Sequence, residues 1–232
     1  MDDRGDANDS RGDEGDGRDA ETDYRAGLAD HLRAGIAIYN DGEFHAAHDA
    51  WEDRWLDLTA GSDDERLLHG LIQFTAAVHH AHGANWAGVR GLAESGAGYL
   101  ADLPANYRDV NVGDVRNYLR AVASDPEHVE RVAIPKLAHE EVPLRPEDLR
   151  FEASAVVAEV LADEYGYDET VVERAVEYAR ADLDDGTATS QFVTFVMDFG
   201  RDAANRGIIF QRLEGAVGKR RHEEEDVEGL FD

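Results

Sequence analysis

The sequence predicts an all-α fold, a helical bundle with an additional C-terminal helical part. Three observations carry this. Apolar residues recur at spacings of three and four along successive stretches. Between the stretches lie Gly, Pro, Asn and Asp breaks of the kind that end helices. Nowhere is there a strict apolar–polar alternation over the length of a strand. With 232 residues the chain is long enough to bury a real core.

Residues 1–24 are Asp, Gly and Arg with almost no apolar side chains, and an acidic disordered tail is expected there. Arg-Gly-Asp occurs in it twice, from Arg4 and from Arg11, as a product of that composition. A helix follows over 24–39, where Leu28, Leu32, Ile36 and Tyr39 fall on one face. Asn40, Asp41 and Gly42 end it, Gly42 being suited to a left-handed cap. A second helix is expected over 44–58. Ser62 or Asp63 caps a third over about 64–82, which is nearly apolar all round and so belongs in the centre of a bundle. A fourth spans 86–103 despite four glycines, and Pro104 ends it. Residues 105–145 are expected to form a connector with one short helix at 112–123, and a candidate domain boundary. Pro146 suits the first turn of the next helix. Asp168 caps another, and Thr189 or Ser190 caps the run from Gln191. A last helix spans 208–221, and 223–232 form an acidic end. The expected organisation is thus 1–24, 25–104, 105–145, 146–222 and 223–232.

Acidic residues outnumber basic ones 51 to 23, a formal charge of -28, and Lys136 and Lys219 are the only lysines. Such a surface repels phosphates and anionic lipid, so neither nucleic acid nor a membrane is an expected partner. Acid spread over the whole chain, with Arg well above Lys, is a halophilic pattern that reports the solvent rather than a ligand. Without cysteine there are no disulfides, thiolate ligands or cysteine nucleophiles. No apolar run reaches the ~18 residues of a membrane helix, and no signal peptide is legible, so a cytoplasmic protein is expected. Basic residues gather towards the C-terminal helices, where a protein partner or a second copy of the chain could dock.

The chemistry concentrates in the second and third helices. Place Phe44 at zero and advance about 100 degrees per residue. Phe44, Ala47, Trp51, Trp55 and Leu58 then share one face, read as the core stripe. His48 falls at about 40 degrees, inside that stripe, and Glu52 at about 80, on its edge, so the two are one turn apart on the buried side. Asp49, Asp53 and Asp57 fall on the far side. In the third helix Glu65, His69, Gln73, Ala76 and His80 lie on one narrow stripe. The simplest packing faces that stripe onto His48 and Glu52, beside Trp51 and Trp55. No G-x-S-x-G or P-loop pattern accompanies them.

Phe44, His48, Glu52 and Trp55 resemble the H-x-x-x-E-x-x-W motif of a bacterial and archaeal family, domain of unknown function 309. Gly70, Leu71, Ile72, Gln73, His80, Gly83 and Asn85 resemble its second block. The resemblance covers about 28–104 and implies an all-helical fold with a motif suggested to bind metal. It implies no established activity. His69 departs from the family pattern, and the C-terminal half lies outside it. Two readings stay open. In one, His48, Glu52 and His80 hold a divalent ion (Zn, Mn, Fe or Ni), with Gln73, His69, Trp51 and Trp55 around them, as in a metal-dependent hydrolase. In the other, the same groups form a structural hydrogen-bond network in a helical interaction module.

Overall fold

The computed structural model describes residues 27–187 and 189–228. The expected disordered tail at 1–24 lies outside them. Among the described residues there are ten α-helices and no named strand. They are α1 (Leu28–Asp41), α2 (Phe44–Leu56), α3 (Asp63–His82), α4 (Trp86–Tyr99), α5 (Val112–Ser124), α6 (His128–Arg131), α7 (Phe151–Glu164), α8 (Glu169–Asp184), α9 (Gln191–Arg201) and α10 (Arg206–Glu228). Successive helices pack in sequence from α1 to α5, with α3 between α2 and α4. The second set, α7 to α10, is built around α9, which packs on α7, α8 and α10. Helix α7 joins the two sets because it also packs on α1 and α2. Their buried side chains form one continuous cluster, from Leu32 to Val217.

Local chemistry explains most of the boundaries. Gly42 caps α1 at φ 101°, a left-handed conformation that costs a glycine little. Ser62, Asn85, Asp168 and Ser190 each accept a backbone N–H in the first turn of the helix they precede. At the far end of α4, Arg116 donates to the carbonyls of Leu100, Ala101 and Leu103. Ser190 does two jobs, since its hydroxyl also donates to Asp182 of α8 at 2.7 Å. Ser190→Ala is therefore expected to lower stability by about 1–2 kcal/mol, measured as a shift in urea midpoint at unchanged slope.

Several boundaries differ from the sequence expectation. Pro146 opens only a 3-10 turn, Pro146–Asp148, and α7 starts after it at Phe151. Arg201 holds that break open by donating to the carbonyls of Pro146 and Leu149. The last helix starts earlier than expected, at Arg206, and runs on through the acidic segment to Glu228, with pairs such as Lys219–Glu223 and Arg221–Glu225 one turn apart along it. The stretch between α5 and α7 is tied down rather than loose. The Asn40 side chain donates to the carbonyls of Leu137 and Leu144 and accepts the Leu137 N–H. The tight turn His139–Val142 of this stretch is joined to another just before α5, Tyr107–Val110, by an isolated bridge between His139 and Val110.

The rotation of α2 about its own axis is the finding that matters most for the site. Its buried residues are Ala46, Ala47, Ala50 and Trp51. On the scale used above they centre near about 270 degrees, a quarter turn from the assumed stripe. The alanines face the core because they let α1 and α7 approach closely. Opposite them on α1 is Gly35, where an added Cβ would stand 2.2 Å from the Trp51 indole. Phe44 and Trp55 lie at the edge of the core, and His48 and Glu52 turn outward.

Candidate functional site

His48 and Glu52 do lie together, one turn apart, but not buried under tryptophan. Their side chains are 28% and 45% exposed, and His48 Nδ1 stands 3.7 Å from Glu52 Oε2. The residue that joins them is Asp49, assigned to solvent by the sequence reading. Its Oδ1 lies 2.9 Å from His48 Nδ1. One ligand atom from each of His48, Asp49 and Glu52 lies within 4.8 Å of the others, and His45, Asp49 and Glu164 form a second such group. His80 belongs to neither group among the described residues. Its Nδ1 pairs with the side-chain amide of Asn85 at 2.8 Å, bracing the turn into α4.

The α3 stripe faces elsewhere than the sequence reading placed it. His69 stacks between Trp55 and Tyr99, at ring-centroid distances of 4.6 and 3.8 Å. Glu65 accepts the Trp55 indole N–H at 2.8 Å and lies 3.4 Å from His69 Nδ1. Burial alone would raise the Glu65 carboxyl. Donors from Trp55, Gly61 and His69 outweigh it and hold the group below its usual range. Gln73 lies against the small residue Gly96 of α4. This half of the expected pocket is a satisfied network that fixes the α2–α3–α4 seam. Trp51 is wholly buried, and its indole N–H has no partner among the described residues.

What lies on the outward face of α2 is a cleft of about 580 Å³. Helices α1 and α2 line one side with His31, His45, Asp49, Glu52 and Asp53. Helices α7 and α8 line the other with Glu159, Asp163, Glu169 and Glu173, above Val156 and Val160. Half of this wall comes from residues more than a hundred positions away, so no local pattern could reveal it.

Two groups in the cleft were not singled out from sequence. His31 Nδ1 lies 2.9 Å from the Ala50 carbonyl. A carbonyl can only accept, so Nδ1 carries the proton, and in the neutral ring Nε2 keeps its lone pair. Its position three residues after Leu28 and one before Leu32 was the available signal. Glu159 is pushed up to about 7, first by burial and then by the neighbouring charges of Glu173, Glu152 and Asp53, with Arg180 opposing. On the cleft's edge, His45 is raised chiefly by its hydrogen bond to Glu164.

Comparison with known proteins agrees with the resemblance drawn from the motif. Residues 32–92 match the family described as a domain of unknown function, DUF309. An uncharacterized protein of Aquifex aeolicus (strain VF5) is 27% identical over 99 residues, 43% of this chain and 29% of that relative. The chain therefore spans under a third of the relative's length. The matched segment contains His45, His48, Asp49, Glu52, Gln73 and His80. Glu159, Asp163, Glu169 and Glu173, which build the opposite side, lie outside it, as does Glu164.

Proposed function

We propose that the outward face of α2 binds a divalent metal ion, of the Zn, Mn, Fe or Ni kind, through His48, Asp49 and Glu52. The observation that carries this reading is the convergence of three ligand atoms within 4.8 Å. Around an ion with ligand bonds of about 2.0–2.2 Å, neighbouring ligands stand about 3 Å apart in an octahedron and about 3.5 Å in a tetrahedron. The His48–Asp49 and His48–Glu52 separations of 2.9 and 3.7 Å span that range. One imidazole and two carboxylates suit a borderline or hard divalent ion and leave positions for water. In this reading Asp49 takes the place the sequence assigned to His80.

A bound ion of this kind would supply a water that ionises near neutral pH, the chemistry of a metal-dependent hydrolase. The chain's own contributions are His48, Asp49 and Glu52 as ligands, and Glu159 across the cleft as a carboxylic acid able to exchange a proton near neutrality. The acidic walls favour a neutral or cationic substrate over an anionic one. The competing role for the same three side chains is a hydrogen-bond network of the kind Trp55, Glu65 and His69 already form.

The test is metal content and thermal stability of the purified full chain. Wild-type protein is expected to take up manganese or zinc in stoichiometric amount and to melt higher when loaded. His48→Ala and Glu52→Gln are expected to lose at least tenfold in affinity while keeping their helical content. Wild-type protein that neither retains nor is stabilised by any of the four ions would overturn the reading in favour of the network.

A further inference from the structure

We propose that the metal site is a two-ion centre, in which His45, Asp49 and Glu164 hold a second divalent cation and Asp49 bridges the pair. This rests on the reading of His48, Asp49 and Glu52 as the first locus. The geometry of Asp49 carries the argument. Its Oδ1 faces His48 Nδ1 at 2.9 Å, while its Oδ2 faces His45 Nδ1 at 3.4 Å. Each oxygen is thus committed to a different imidazole. Glu164 Oε2 completes the second group at 2.8 Å from His45 Nδ1. A carboxylate offering one oxygen to each of two neighbouring ligand sets is the arrangement that holds two ions about 3.5–4 Å apart.

Two further features favour a cation at the second locus. Glu164 is the last residue of α7, at the negative end of the dipole of a 14-residue helix, where a cation is favoured. Both loci also open on one space, since His45, Asp49 and Glu52 all line the cleft. The imidazole of His45 is 62% exposed and Glu164 27%, so water and ions reach the group directly. Occupation of this locus would displace the proton shared by His45 and Glu164 and link α2 to α7 through the ion. Glu164 lies outside the segment that matches the family, so the C-terminal helices contribute a ligand of their own.

The experiment is a titration of the full chain with Mn(II), counting bound ions by the electron paramagnetic resonance of the free ion. The wild type, Glu164→Gln, His45→Gln and His48→Ala are compared, with circular dichroism confirming that each is folded. Two equivalents in the wild type and one in both Glu164→Gln and His45→Gln support the proposal, as does a spin-coupled pair signal that those variants lose. One equivalent in the wild type, unchanged in Glu164→Gln but lost in His48→Ala, overturns the second ion and leaves the first site standing. One equivalent lost in Glu164→Gln but kept in His48→Ala overturns both, placing a single ion at the second locus. No bound ion in the wild type also overturns both.

Discussion

Trp51→Ala is expected to lower stability by about 4 kcal/mol, the largest effect of any single truncation in the N-terminal helices. Trp51 is the largest wholly buried side chain among the described residues, wedged against Gly35 of α1. In a domain of this size the loss corresponds to a fall of about 8–16 °C in Tm. Gly35→Ala attacks the same contact from the other side. Its Cβ would lie 2.2 Å from two indole atoms, so the ring must leave its place, at a cost of about 2–3 kcal/mol. The double variant Gly35→Ala/Trp51→Leu is expected to cost clearly less than the sum of its parts, because the smaller side chain vacates the volume the new methyl needs. Urea melts of the four proteins at one fixed salt concentration give the coupling energy. Strict additivity would mean that the two residues do not compete for the same space.

Glu159→Gln is expected to stabilise the protein at high pH and to have little effect at low pH. The carboxyl of Glu159 is raised from 4.5 to about 7, with burial as the main cause. Its contribution is fully present below the unfolded value, about 4.5, where both states hold the proton. It is lost as pH rises through about 7, because the unfolded chain ionises first. The shift of about 2.5 units sets a ceiling of about 3 kcal/mol. Some solvent access to the side chain reduces this to about 1–2 kcal/mol. The neutral glutamine removes the penalty, so Tm of the variant should exceed that of the wild type by about 5 °C at pH 8 and match it at pH 4. Equal pH profiles for the two proteins would show that Glu159 titrates as an ordinary exposed carboxyl. The charges facing it are Asp53 on α2, Glu152 on its own helix, and Glu173 and Arg180 on α8. Full loading of the α2 ligands with a divalent ion is expected to lower the Glu159 value and narrow the difference.

The candidate site was half legible in the sequence. His48 and Glu52 were found from their spacing alone, since residues four apart on a helix must be neighbours whatever the fold. Asp49 was missed because Phe44, Trp51 and Trp55 centred the assumed core stripe, which took in Ala47 but left out Ala46 and Ala50. The buried face is in fact Ala46, Ala47, Ala50 and Trp51. A quarter-turn rotation moves Asp49 and Glu52 onto the cleft side and leaves His48 beside them, part-exposed. The same rotation separates them from the α3 stripe, whose His69 is stacked on Trp55 and Tyr99 and whose His80 is paired with Asn85.

What the sequence determined by itself is every described α-helix except the four-residue α6, and where most of them begin. Periodicity, the caps Ser62, Asn85, Asp168 and Ser190, and the turn at Gly42 depend on residues within one turn of each other. What only the tertiary structure decided is how each helix is rotated and which distant side chains face it. That choice is made by shape: the gap left by Gly35 admits the Trp51 indole, and the alanines of α2 admit α1 and α7. Once α7 is docked, Glu159 and Glu164 arrive opposite His45 and Asp49, from more than a hundred residues away. No pattern within either segment could have announced that meeting, because it depends on the close fit of two helix faces rather than on the order of residues along the chain.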